Sequence, residues 1–391
     1  MLNALAALLM GSASPQGAPP PPPPATVAVT FDRAGILPVL AEGLADKAAR
    51  RKATADSPVR IASVSKLASA LGVMRLVDAG LLDLDRDVSD YLGWRLRNPA
   101  FPDSPITLRL LLSHRSSLTD GGERYIVPLG ETLRARLGDP ALWDAAHPPG
   151  AAFRYANFNF PVVASVMESA TGERFDRLMT RLVFRPLKLD ACLNWSGCPD
   201  RAIRRAVVLY RADGAVLRDD LHGKAPACIV VAAPDGSCDL SAYRRGDNGA
   251  LFSPQGGVRI SMRDLARIGR MLANRGRGFL SPAAFAELIG PQWRGAGLDE
   301  SAEPSGLFCA YGLAVHWIGT RAPGCRDDLF GDGKPRLGHS GEAYGLRSGL
   351  WLDPQTGRGI AFFATELADD AAKGPSGFSA VEERVVRRAF H

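Results

Sequence analysis

Apolar residues recur along this chain in two rhythms, and the switches between them mark its elements. Residues 25–31, Ala-Thr-Val-Ala-Val-Thr-Phe, are a β-branched run that predicts a strand. Asp32-Arg33-Ala34-Gly35 reads as a turn and Ile36–Ala41 as the returning strand. A short strand is expected at Val59–Ala62. From Ser63 the rhythm becomes helical: Leu67, Leu71, Met74 and Val77 recur at three- and four-residue intervals, and Gly80 is placed to end the run. The positions between them are mostly small or apolar, which predicts a helix buried nearly all round.

Residues 105–190 read as helices joined by loops rich in proline and glycine, with a capped start at Ile106-Thr107 and an apolar stretch over Phe160–Ala170. Residues 195–250 alternate poorly and predict a loop and hairpin excursion. Ser261–Asn274 is amphipathic, and strands are expected at Tyr311–Ile318, Gly345–Leu352 and Gly359–Thr365. The last two flank Asp353-Pro354-Gln355-Thr356-Gly357, a hairpin signal, and Val381–Phe390 predicts a closing helix. Strands, then helices, then strands again imply an α+β fold. Its antiparallel sheet is built from both chain ends and flanked by helices, with a helical subdomain inserted over roughly 67–190. One discontinuous domain is expected over 26–391, after a candidate signal segment and polyproline linker over 1–25.

At 46% hydrophobic and 23% charged, the 391 residues exclude a disordered or fibrous chain. The net charge of +6 is spread without blocks of like sign. Arg201, Arg204, Arg205 and Arg211 are the nearest thing to a basic cluster; with no nucleic-acid module beside them they read as solvated surface. Leu2–Met10 followed by Gly11-Ser12-Ala13-Ser14 is signal-like, although no basic residue precedes it, and it is too short to span a bilayer. Pro19–Pro24 is a stiff tether. Six cysteines lie from residue 192 onward, and their spacing suggests the local pairs Cys192–Cys198, Cys228–Cys238 and Cys309–Cys325, with other connectivities and buried free thiols left open. Pairing implies a periplasmic or secreted protein. A zinc site is disfavoured, since no C-x-x-C occurs.

Three short patterns carry chemistry. Ser63-Val64-Ser65-Lys66 is an S-x-x-K at the head of the buried helix, where hydroxyl and amine share one face. The helix's amino end can stabilise an oxyanion beside the serine, and the lysine can act as base if burial or a nearby cation lowers its pKa. In Tyr155-Ala156-Asn157, a tyrosine beside a cationic lysine has its phenolate favoured and can relay a proton. Asn157 offers a donor and acceptors to a substrate amide. In His339-Ser340-Gly341-Glu342, just before the Gly345–Leu352 strand, the glycine lets a substrate approach the backbone and the next N–H can donate to an oxyanion. His339 would contact a substrate carboxylate or polarise the nucleophile. Singly, each pattern is better explained as a helix cap with a surface lysine, a polar turn, or a structural histidine. A lysine inside an apolar helix, where an idle charge is expensive, shifts that balance. So does the order of the three patterns, each occurring once. G-x-S-x-G, a P-loop and H-E-x-x-H do not occur.

In this order the motifs resemble the class C β-lactamase and penicillin-binding-protein superfamily, most of all its branch of β-lactamase-like carboxylesterases and D-amino-acid peptidases. The likeness runs from about residue 26 and takes in Ile106–Thr119, Arg185-Pro186-Leu187, Gln255-Gly256-Gly257, Ser261-Met262-Arg263-Asp264-Leu265 and Tyr311-Gly312-Leu313. The resemblance implies a β-lactamase-like fold and a serine hydrolase of small esters, amides or peptides. Ser63 would be the nucleophile, Lys66 its activating partner and Tyr155 the proton shuttle. Asn157 and His339 would bind substrate, and the N–H groups of Ser63 and of Glu342, beside Gly341, would form the oxyanion hole. Acylation would be followed by hydrolysis, with no metal or cofactor. There are departures. His339-Ser340-Gly341 stands where lactamase members usually carry K-T-G, which points away from efficient antibiotic hydrolysis. Glu342 places a carboxylate near the pocket, able to repel anionic substrates or select cationic ones. Prolines replace the helix that commonly precedes the first strand. A penicillin-binding protein or sensor that acylates without turnover, and a silent peptide-binding homologue, would use the same cleft. No nucleic-acid partner or transmembrane span is expected; acyl specificity and oligomeric state are left open.

Overall fold

The computed structural model describes residues 23–295, 306–368 and 370–390; the signal-like Leu2–Met10 stretch lies outside them. The first strands are β1 (Thr26–Phe31), β2 (Ile36–Glu42), β3 (Leu44–Asp46), β4 (Arg51–Lys52) and β5 (Val59–Arg60). The middle of the chain adds β6 (Cys192–Leu193), β7 (Leu209–Tyr210), β8 (Val216–Arg218) and β9 (Val258–Ile260). The last part supplies β10 (Trp293–Arg294), β11 (Ala310–Tyr311), β12 (His316–Ile318), β13 (Arg336–Ala343), β14 (Leu346–Leu352) and β15 (Gly359–Ala364). The main sheet runs β10-β11-β12-β13-β14-β15-β1-β2, antiparallel throughout. Its first and last strands pair directly, Thr26 opposite Ala364 and Phe31 opposite Gly359, so both chain ends build one sheet as expected.

Alternation along β1 sorts its side chains between two layers. Val27, Val29 and Phe31 join the core beneath the Met262–Ala273 helix, whereas Ala28 faces Val385 and Val386 of the closing Ala380–Phe390 helix. Helix α1 (Val64–Asp78) is buried over nearly its whole length. Thr107 caps the short Leu108–Leu112 helix through its side chain, and Ser261 caps Met262–Ala273 the same way.

Two expectations change. Tyr311–Ile318 is a tight hairpin, not one strand: Gly312 N–H reaches Val315 O at 2.7 Å and Ala314 takes φ +55°. His339-Ser340-Gly341 lies inside β13, a strand that Gly338 and Gly341 strip of an alternating apolar signal. The three local disulfides Cys192–Cys198, Cys228–Cys238 and Cys309–Cys325 are all formed. The 195–250 excursion carries the β7–β8 hairpin and one short helix, Asp200–Ile203. Among the described residues no helix is long and apolar enough to cross a membrane.

Gly269, on the helix that packs over β1, has no room for a side chain: a Cβ would lie 2.2 Å from Phe31 Cζ. Gly269→Ala is expected to destabilise the protein by about 1–3 kcal/mol in denaturant melts, even though alanine favours the helix by about 1 kcal/mol. A raised midpoint would show that Phe31 has space to swing.

Candidate active site

From β5 the chain turns through Ile61 and Ala62 into α1. Ala62 holds φ +44°, an unfavourable backbone for a residue with a Cβ. Ser63 stands at the helix head but makes no side-chain capping bond. Its Oγ instead lies 2.9 Å from Lys66 Nζ and is hydrogen-bonded to the Tyr155 phenol. Lys66 is 0% exposed, which disposes of a surface lysine. Its Nζ also donates to Asn157 Oδ1 at 2.8 Å and to Gln255 O at 3.3 Å. It sits 4.8 Å from the centre of the Tyr155 ring. Burial pushes the Lys66 pKa down to about 7, opposed by the charge of Asp120.

Each partner is held from behind. Asn157 Nδ2 donates to Asp120 Oδ2 at 2.9 Å, and Phe158 N–H donates to Asp120 Oδ1 at 3.0 Å. This orients the amide, with nitrogen toward Asp120 and oxygen toward Lys66. The Tyr155 ring is stacked against His114 at 4.2 Å and against Phe308 at 4.8 Å. His114 Nδ1 accepts from Ala156 N–H and lies 3.1 Å from Asn159 Nδ2, which places its proton on Nε2. Burial keeps that ring neutral, its pKa well below the usual range. Burial also raises the Tyr155 pKa, so Tyr155 is a protonated phenol and not the phenolate expected beside a cation.

β13 forms the facing wall. A Cβ on Gly341 would fall 2.4 Å from Ile61 O and 3.2 Å from Ser63 N, so the strand can lie against the Ser63 backbone only because this residue is glycine. Ser348 Oγ on β14 donates to Ile61 O at 2.9 Å and fixes the same approach. Glu342 lines the cavity, but its carboxylate is held at 2.6 Å by Arg347, its cross-strand neighbour. His339 is buried one layer back, outside the cavity lining. Its Nδ1 donates to Ser340 O at 2.6 Å and its Nε2 lies 2.8 Å from Tyr311 Oη, with the Tyr155 ring 6.1 Å away.

Ser63, Lys66, Tyr155 and Asn157 thus form one bonded cluster, Gly341 and Glu342 edge it, and His339 stands behind. Ser63, Tyr155, Asn157, Gln255 and Glu342 open onto a cavity of about 1260 Å³. Sequence reasoning gave no role to His114, Asp120, Gln255 or Tyr311. His114 and Tyr311 lie within stretches matched by resemblance and Asp120 just beyond one, but no periodicity or spacing marks them.

Comparison with known proteins identifies the family. A family model described as Beta-lactamase matches residues 26–377. Penicillin-binding protein 4 of Amycolatopsis lactamdurans is 29% identical over 341 residues, 85% of this chain and 78% of that protein. Esterase EstB of Burkholderia gladioli is 33% identical over 193 residues, 45% of this chain and 48% of its own. The D-alanyl-D-alanine-carboxypeptidase/endopeptidase AmpH of Escherichia coli K12 is 31% identical over 163 residues, 40% of this chain and 41% of its own. The matches to EstB and AmpH therefore span under half of each relative. In fold, the D-amino acid amidase of Ochrobactrum anthropi SV3 in complex with L-phenylalanine amide superposes with a TM-score of 0.65 at 19% identity, over 93% of this chain and 92% of that one. From strand order, helix-borne S-x-x-K and these matches alike, the chain belongs to the beta-lactamase family of serine hydrolases.

Proposed function

We propose that the protein hydrolyses a small ester or amide through an acyl-enzyme on Ser63, as an esterase or D-peptidase does. The observation that carries this reading is the bonding of Lys66. Two of its three partners, Asn157 Oδ1 and Gln255 O, are carbonyl oxygens that only accept. A neutral amine has two protons for them and one lone pair left for the Ser63 hydroxyl at 2.9 Å. A pKa near 7 puts that neutral form within reach at physiological pH.

Lys66 then takes the Ser63 proton as Oγ bonds the carbonyl carbon, and the N–H groups of Ser63 and Glu342 receive the oxyanion. Tyr155 gives its proton to the departing oxygen or nitrogen and is reprotonated by Lys66. Water attacks the resulting ester, and its proton returns to Ser63 by the same route. Asn157 holds Lys66 and the substrate amide, while His339 acts as a positioning residue behind Tyr155 and Tyr311. Gln255 Oε1, buried at the cavity with no partner among the described residues, offers an acceptor to a substrate N–H. The esterase, carboxypeptidase and amidase among the relatives support the breadth of this reading. Three disulfides support a periplasmic or secreted site of action.

A fluorophosphonate probe is expected to label Ser63, and labelling that persists in Ser63→Ala would overturn the assignment. Tyr155→Phe, which keeps the ring stack and removes the proton, should lower kcat on an alkyl ester by about 10²–10⁴. An unchanged kcat would take Tyr155 out of the mechanism. Because the neutral amine predominates above its pKa, kcat/KM should rise with pH through a midpoint near 7 and level off above it. A flat profile across that range would deny Lys66 the role of base.

A further inference from the structure

The cavity has a second polar wall that acyl transfer itself does not use. Arg60, Arg218 and Arg259 line it together with Asn194, Asp219 and Tyr344. Arg60 and Arg259 are 9% and 3% exposed. Arg60 donates from Nη1 to Gly256 O at 2.8 Å and lies 5.1 Å from the Tyr344 ring centre. Arg218 lies 4.8 Å from the same ring and donates to its hydroxyl at 3.0 Å. Asp219, the carboxylate of this cluster, is engaged by Arg259 at 2.9 Å. Elsewhere on the lining, Glu342 is held by Arg347, Asp220 lies 3.4 Å from the exposed His222, and Glu123 and Arg211 add one charge of each sign.

Three guanidiniums therefore share one carboxylate. Nε of Arg60 and Nε of Arg259 are buried with no partner among the described residues. Burial and the neighbouring Arg259 both disfavour the charged form of Arg60. Uncompensated buried cations are expensive, and an anion entering the cavity would relieve them.

β13 gives the wall its direction relative to the nucleophile. His339 stands behind Tyr155, Gly341 opposes Ser63, and Tyr344 follows the strand's end beneath Arg60. From Gly341 to Ala343, the last residue of β13, the strand advances about 7 Å, and Tyr344 opens the turn into β14. The arginines therefore lie on the side of Ser63 away from Tyr155, opposite the proton that leaves with the alcohol or amine. Leu217, Leu221 and Ile229 supply apolar lining to the same cavity.

We propose that this wall is a subsite for a carboxylate carried on the acyl half of the substrate, several atoms from the scissile carbonyl. The inference rests on Ser63 as the acylated nucleophile and Tyr155 as donor to the leaving group. The test compares p-nitrophenyl half-esters of glutarate, adipate and suberate with p-nitrophenyl esters of neutral acids of equal length. At least one ω-carboxylate should be preferred in kcat/KM by about tenfold, the scale of one charge-assisted hydrogen bond. Arg60→Gln should erase the preference, chiefly through KM. Arg218→Gln, at an exposed position where folding is not at stake, should weaken it severalfold. Equal treatment of charged and neutral esters by the wild type, or a preference untouched in both variants, would overturn the subsite while leaving the hydrolase standing. A preference confined to 4-carboxyphenyl butyrate over 4-carbamoylphenyl butyrate would overturn its acyl-side placement. Failure to cleave any ester, with Ser63 unlabelled by fluorophosphonate, would instead remove the reading on which the subsite rests.

Discussion

Everything at this site follows from one amine enclosed without a counter-ion. Lys66 is fully buried, and a pKa lowered from 10.5 to about 7 corresponds to roughly 5 kcal/mol against its charged form. That penalty comes from α1 itself, which is packed on every side and offers Lys66 little water. A helix with one solvated face would have let the same lysine snorkel to the surface and stay charged. Under the proposed mechanism the apolar monotony of α1 is therefore part of the chemistry: it lowers the pKa of the amine beside Ser63 so that it would serve as a proton acceptor.

The surroundings favour the neutral form of that amine while still orienting it. Asp120 is the nearby carboxylate, and a direct contact with Lys66 would restore the ammonium. Instead the Asn157 amide stands between them, with nitrogen on the carboxylate and oxygen on the amine. Direction passes through the amide, and much of the charge attraction is lost over the added distance. Burial raises the Asp120 pKa, consistent with a group held in a dry layer. Tyr155 is treated likewise. Its ring is fixed by His114 and Phe308, neutral partners that add no charge, and burial preserves its proton. Both proton-carrying groups are thus tuned by exclusion of water, with ion pairing kept at one remove.

This division explains what was legible in the sequence. Periodicity and apolar runs located β1, β2, α1, the Met262–Ala273 helix, β14 and β15, because each carries a continuous local signal. They missed β13 because glycine at 338 and 341 carries no hydrophobic signal, although close approach to Ser63 requires glycine at 341. The S-x-x-K and Y-x-N patterns were visible since their spacing is local. His114 and Asp120 were not, since their roles depend on contacts with Ala156, Asn157 and Phe158, more than thirty residues away. The phenolate expected at Tyr155 presumed a charged neighbour; burial of both groups reverses that. His339 was placed by motif, and its layer could be read only from the pleat of the strand.

β13 also ties the two walls of the cavity into one geometry. A paired strand is stiff, so the distance from the residues behind Tyr155, past Gly341, to Tyr344 is fixed by backbone hydrogen bonding with β14. The chemistry at one end and the arginines at the other cannot drift apart independently. The 195–250 excursion, by contrast, brings Arg218 at the end of β8, Asp219 just after it, and the apolar Ile229 beside the Cys228–Cys238 disulfide to the cavity. The carbonyl would then be positioned by strand and helix, while the far end of the acyl group meets side chains drawn partly from the excursion. In such an arrangement, changes in the excursion alter which acyl group is held without disturbing the Ser63–Lys66 contact, because no hydrogen bond described for that pair comes from it.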